Sequence, residues 1–141
     1  MTASVFVDTN VLLYAHDLDA GPKHETARRL VMELWSEQRG VLSTQVLQEF
    51  YVDVTRKLRL PRAEAREALV DFGTWKVERI GVPHILRASE LEERFQLSFW
   101  DALIVAAAAA AGADEILSED LSHGQRIDGV LIQNPFATRT S

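Results

Sequence analysis

The sequence predicts an α/β fold, with a twisted parallel sheet of about four to five strands flanked by helices. Three observations lead there. Short apolar runs such as Val5-Phe6-Val7 and Ile116-Leu117 lack polar alternation, as strands buried on both faces do. Longer segments carry apolar residues at helical spacing. The two kinds alternate with no internal repeat or long linker, the pattern of parallel strands joined by helices.

The first strand ends at Asp8-Thr9-Asn10, three residue types that cap helices, and residues 11–15 then read as an opening helical turn or a loop. Gly21-Pro22 starts a helix reaching about Gln38, with Pro22 suited to its first turn and Ala27, Leu30, Val31, Leu34 and Trp35 as its stripe. Gly40 ends it, and Val41-Leu42-Ser43 forms a second strand. Thr44 is placed to cap the next helix, with stripe Val46, Leu47, Phe50, Tyr51, Val54 and Leu58. Pro61 separates this from a helix over residues 62–72, closed by Gly73. Residues 75–80 alternate weakly and read as a third strand. Pro83 opens a helix to about Arg94, and Ser98 caps the most hydrophobic helix, residues 99–111, stopped by Gly112. Its run of alanines suits a small-faced helix lying close against a sheet. Residues 115–117 and 130–133 complete the strands, and Asn134-Pro135 leads to a polar tail.

At 141 residues, with 47% hydrophobic, the chain fits a single domain, 1–141, with a real core. It has no cysteine, which excludes disulfides, thiolate metal sites and a cysteine nucleophile. No signal peptide is visible, and the stretch from Ala102 to Ala113 is too short to span a bilayer. A soluble cytoplasmic protein is the expectation. The net charge of −6 argues at first against a nucleic-acid partner. Four candidate site acids account for −4 of it, and Arg56, Lys57, Arg59, Arg62 and Arg66 crowd one stretch, so RNA is not excluded.

Those four acids are Asp8, Glu49, Asp101 and Asp120. Asp8 and Asp120 follow predicted parallel strands, at the carboxyl ends where open α/β sheets build their sites. Each has an innocent reading. Asp8 can cap a helix, Glu49 can be a solvated face residue, Asp101 stands at capping-box spacing from Ser98, and Asp120 can shape a turn toward Gly124. The joint pattern weighs against four unrelated roles. Two carboxylates roughly 4 Å apart repel by about 4 kcal/mol at an effective dielectric near 20. Asp101 sits in a helix with no Lys or Arg between Ser98 and Gly112, and a buried unpaired carboxylate is costly. A hard divalent cation would offset the charge. His16, His24, His84 and His123 follow no zinc spacing, although His123 lies near Asp120. Nothing resembles a nucleophile elbow or a phosphate loop.

The segments VFVDTNVLLYA, LSTQVLQEF, FWDALIVAAA and ILSEDLSHG, at residues 5–15, 42–50, 99–108 and 116–124, resemble the signature of PIN domains. They are most similar to the small ribonuclease toxins of VapBC toxin–antitoxin systems. The resemblance implies a PIN-like three-layer fold and an acidic site in which Asp8, Glu49, Asp101 and Asp120 hold Mg²⁺ or Mn²⁺. Asn10 and Ser118 match positions that support that site, with Ser118 where threonine is commoner. Glu119 adjoins Asp120 as an alternative fourth acid. The implied reaction is hydrolysis of phosphodiesters in RNA, with single-stranded or looped regions as targets. A homodimer and a small antitoxin that plugs the active site are implied as well. Arg59 and Arg62 are the candidates for positioning RNA. Two rival readings stand beside this one. A haloacid-dehalogenase-type phosphatase would phosphorylate Asp8 directly, but it places a second acid where this chain has Asn10. A catalytically inactive PIN-like module would bind RNA or protein without cutting.

Overall fold

The computed structural model describes residues 3–137. Part of the predicted polar tail lies outside them. In chain order the elements are β1 (Val5–Val7), α1 (Thr9–His16), α2 (Pro22–Glu37), β2 (Gly40–Ser43), α3 (Thr44–Arg56), α4 (Arg62–Phe72), β3 (Lys76–Glu78), α5 (Val82–Phe95), α6 (Phe99–Ala110), β4 (Glu115–Leu117), β5 (Arg126–Ile127) and β6 (Val130–Gln133). One six-stranded sheet runs in the order β3-β2-β1-β4-β6-β5, parallel except where β5 pairs antiparallel with β6.

The sheet has one strand more than the upper expectation. β5 is two residues long, joined to β6 by the two-residue turn Asp128-Gly129, whose φ values are 54° and 83°. An Asp-Gly pair favours such a turn because glycine meets no steric cost at positive φ. Residues 11–15 form α1 rather than a loop. The cap of α3 is Ser43, whose Oγ accepts from the Val46 N–H at 3.3 Å. Thr44 instead accepts from the Ile80 N–H at 3.1 Å, which ends the third strand before residue 80.

Strand order explains where a site can form. From β1 the chain moves through β2 to β3 at one edge, then returns to place β4 on the other side of β1. Right-handed crossovers therefore put α1 to α4 on one face and α5 and α6 on the other, giving three layers. Contacts follow this division, with α1 against α2 and α3, α3 against α4, and α5 against α6. The order reverses between β1 and β4, and the crevice at their carboxyl ends is the switch point of the sheet.

The core supports that crevice from below. Phe6, Leu42, Ile116 and Ile132 on the sheet are fully buried, and truncating such a residue to alanine costs about 2–5 kcal/mol. Ala102, Ala106, Ala107 and Ala108 let α6 lie close to β2, β3, β4 and β6. Gly40 is needed for a similar reason: a Cβ there would stand 2.2 Å from the Trp75 ring. Among the described residues no helix is long and apolar enough to cross a membrane.

Candidate active site

β1 ends at the switch point, so the next residue, Asp8, points into the crevice while capping α1. Asp8 is 5% exposed, and its Oδ1 accepts from the Thr9 N–H at 2.7 Å. Its Oδ2 accepts from Ser118 Oγ at 2.7 Å and from Asn10 Nδ2 at 3.3 Å. Ser118 follows β4 and is fully buried; its Oγ also accepts from the Asp120 N–H at 3.2 Å. Asn10 Nδ2 reaches Asp120 Oδ2 at 3.2 Å, and Asn10 Oδ1 accepts from the Glu119 N–H at 3.1 Å. Two strand ends are thus laced together through Asn10 and Ser118.

Helices supply the remaining acids from both layers. Glu49 stands one turn into α3, and its Oε1 accepts from Thr9 Oγ1 at 3.3 Å. Asp101 occupies the first turn of α6, where Ser98 Oγ accepts from its N–H at 3.1 Å. Asp8, Glu49, Asp101 and Asp120 all line one cleft of about 310 Å³, together with Asp53 and Glu119.

Six carboxylates therefore line the cleft, and two of them have cations. Asp53 pairs with Lys57 at 3.8 Å, and Glu119 with Lys23 at 2.5 Å. Glu119 Oε1 also accepts from Tyr14 Oη at 2.8 Å, and its carboxyl lies below the usual range because these two bonds outweigh its burial. Among the described residues, Asp8, Glu49, Asp101 and Asp120 have no Lys, Arg or His partner. Burial pushes Asp8 up to about 6, helped by the charges of Glu49 and Asp120 and opposed by the bonds from Ser118 and Thr9. Burial of its carboxyl end also raises Glu49, assisted by Asp53 and Asp101. Asp101 is raised by burial and by Asp120. Asp8, Glu49 and Asp101 each feel a neighbouring acid, and among the described residues no cation relieves them.

The donors are hard oxygens, which suit Mg²⁺ or Mn²⁺ better than softer ions. Among the described residues no three acid or His side chains stand close enough to chelate one ion. Mg²⁺ does not require that, since it keeps several waters and takes one or two carboxylates directly.

Several residues of the cleft were not foreseen as site residues from the sequence: Thr9, Gln45, Trp100 and the pair Asp53–Lys57; nor was the ion pair that Lys23, outside the lining, makes with the alternative acid Glu119. Spacing offered one clue, because Gln45, Glu49 and Asp53 succeed one another every four residues along one helix face. His123 is not part of the cleft lining; its Nδ1 accepts from the Asn134 N–H at 3.0 Å. Neither Arg59 nor Arg62 lines the cleft, whereas Lys57 from the same stretch does.

The sequence profile of the PIN domain family matches residues 5–126. The chain belongs to the PIN domain family. Its PIN fold is similar to that of VapC20 from Mycobacterium tuberculosis, described as a sarcin–ricin loop cleaving toxin. The TM-score is 0.66 and the identity 25%, over 83% of this chain and 92% of that one. It is also similar to a chain of a toxin–antitoxin complex from Klebsiella pneumoniae, with TM-score 0.69 and 24% identity over 96% and 100% of the two chains. The DNA-bound VapBC of Salmonella typhimurium shares the fold at TM-score 0.65 and 18% identity, over 95% and 99%. No curated protein matches the sequence. PIN membership replaces the phosphatase reading, and Asn10 is seen to bridge Asp8 and Asp120 rather than to stand in for a second acid.

Proposed function

We propose that this PIN domain is a ribonuclease toxin that needs Mg²⁺ or Mn²⁺ to hydrolyse phosphodiester bonds in RNA. One observation carries the reading. Of six carboxylates in the cleft, the four without a cation are the four that the sequence singles out, and they surround the switch point of the sheet. In this reading Asp8, Asp101, Asp120 and Glu49 hold the ion, directly or through its waters, and Asn10 and Ser118 orient Asp8 and Asp120. The bonds of Glu119 to Lys23 and Tyr14 favour Asp120 over it as the fourth acid in this reading. When bound, the ion supplies a more acidic water and a counter-charge for the phosphate. Glu49 or Asp101, whose carboxyls burial shifts upward, accepts a proton from the attacking water.

Similarity to chains of toxin–antitoxin complexes supports a small antitoxin as partner and the cytoplasm as the place of action. A homodimer is supported by Val82, Ile85 and Leu86, which leave an apolar stripe exposed along α5. The similarity to a sarcin–ricin loop cleaving toxin makes looped ribosomal RNA the first substrate to try.

The test is incubation of purified protein with structured RNA in Mg²⁺, followed by sequencing of the new ends. Defined cuts that disappear on chelation support the reading. Tight binding without turnover would support the inactive-module alternative instead.

A further inference from the structure

The acidic cleft has an aromatic wall that metal chemistry leaves unused. Trp100, the residue before Asp101, lines the cleft and is 63% exposed. Trp35 and Trp75 instead pack against each other and against Phe72, at 5.2 to 5.5 Å between ring centroids. Trp100 gains little of that burial, yet it is held in place. Phe99 meets its ring edge-on at 5.3 Å and 82°, and Gln45 Nε2 donates to its backbone carbonyl at 3.3 Å. Gln45 is itself 6% exposed, and its Oε1 has no donor among the described residues. A buried acceptor without a donor is a rare and costly arrangement, and a ligand's N–H or O–H would relieve it.

Resting on the ribonuclease reading above, we infer that Trp100 is a base-stacking subsite for an unpaired nucleobase next to the phosphate that is cut. Trp100 and Asp101 are consecutive on α6, so their side chains diverge by about 100° around the helix axis. Both nevertheless line the same cleft, so one nucleotide can offer its base to the ring and its phosphate to the acidic side. Every base has an aromatic face, so this contact does not choose among bases. It chooses unpaired RNA over duplex, whose bases are already stacked and hidden. A nucleotide brings a flat ring together with a phosphate, the two chemistries that Trp100 and the acidic cleft offer.

Binding is best measured in the wild type, with Ca²⁺ in place of Mg²⁺ as a hard oxygen-liking cation and a fluorescein-labelled octauridylate, read by anisotropy. A second probe is the same chain of ribose phosphates without bases. Trp100→Leu should weaken octauridylate binding about tenfold or more, and Trp100→Phe no more than about threefold. All three proteins should bind the abasic chain alike. Equal affinity of Trp100→Leu and its parent for octauridylate overturns the inference. So does a change in association state of Trp100→Leu by sedimentation, which would assign the ring to a protein contact. If the wild type binds neither probe, the inference is overturned when RNA is still cut with Mg²⁺, and the ribonuclease reading has failed as well when it is not.

Discussion

Asp8 and Asp120 accept hydrogen bonds from the same amide group, Asn10 Nδ2, at 3.3 and 3.2 Å. One neutral donor thus joins acids from two strand ends, and it offers no positive charge to either. Carboxylates brought together without a cation favour a bound metal, and at Asp8 a proton competes with it; the predictions below follow from that competition.

Asp8 makes the metal-free protein less stable as pH rises. Its pKa is about 6 in the folded chain against an ordinary 3.8, so the folded state holds this proton more tightly than the unfolded state does. Between those values the folded state binds more protons, and stability falls with increasing pH, by up to about 3 kcal/mol once both are passed. Glu49 and Asp101 are displaced in the same direction. Urea unfolding in chelator from pH 4 to 7 should show this decline in the wild type and a shallower one in Asp8→Asn. Identical slopes would mean that Asp8 is an ordinary helix cap.

Glu119 and Asp120 adjoin in sequence but differ in surroundings, and substitution should separate them. Glu119→Gln removes a solvent-screened ion pair and should leave cleavage within about threefold of wild type. Asp120→Asn should abolish cleavage. Reversed outcomes in a single-turnover assay would make Glu119 the acid at the metal.

Much of this was legible in the sequence because the signals were local. Pro61 and Gly73 bracket α4 as expected, and Ser98 caps α6. β4 and β6 occupy the predicted residues, since short apolar runs mark strands even where, as in β6, only alternate residues are fully buried. β5 was missed because two residues carry no period, although the Asp128-Gly129 turn signalled a hairpin. Ser43 displaced Thr44 as a cap because α3 begins directly where β2 ends, one residue earlier than a Thr44 cap implies. The four acids could be singled out by position relative to strands and helices. Their isolation from cations could not, because the pairing of Lys23 with Glu119 spans the fold and only the folded chain brings the two together.

Asp101 has two roles that mutation can pull apart. Ser98→Ala removes the cap on the Asp101 N–H and should cost about 1 kcal/mol of stability, while activity per folded molecule persists. Asp101→Asn removes charge from a repulsive cleft, so the metal-free protein should be at least as stable as wild type at pH 7. Its cleavage should fall by about a hundredfold or more, as for loss of a general base or metal ligand. Matching losses of stability with retained activity in both variants would leave Asp101 as a capping residue.

Arg59 and Arg62 lie outside the cleft lining and can contribute only along a longer path of RNA. Neutralising both should flatten the salt dependence of RNA binding by up to about two units of slope. An unchanged slope assigns them to solubility or to a protein partner.

The central claim is that the four unpaired carboxylates hold the ion on which cleavage depends. Mn²⁺ binding followed by electron paramagnetic resonance tests it most directly, because the signal of free Mn²⁺ falls as the ion is bound. The wild type should bind Mn²⁺ and cleave RNA over the same range of concentration, and Asp8→Asn and Asp120→Asn should lose both together while remaining folded. Mn²⁺ binding of wild-type strength in both variants, or full cleavage of RNA in excess chelator, would contradict the account.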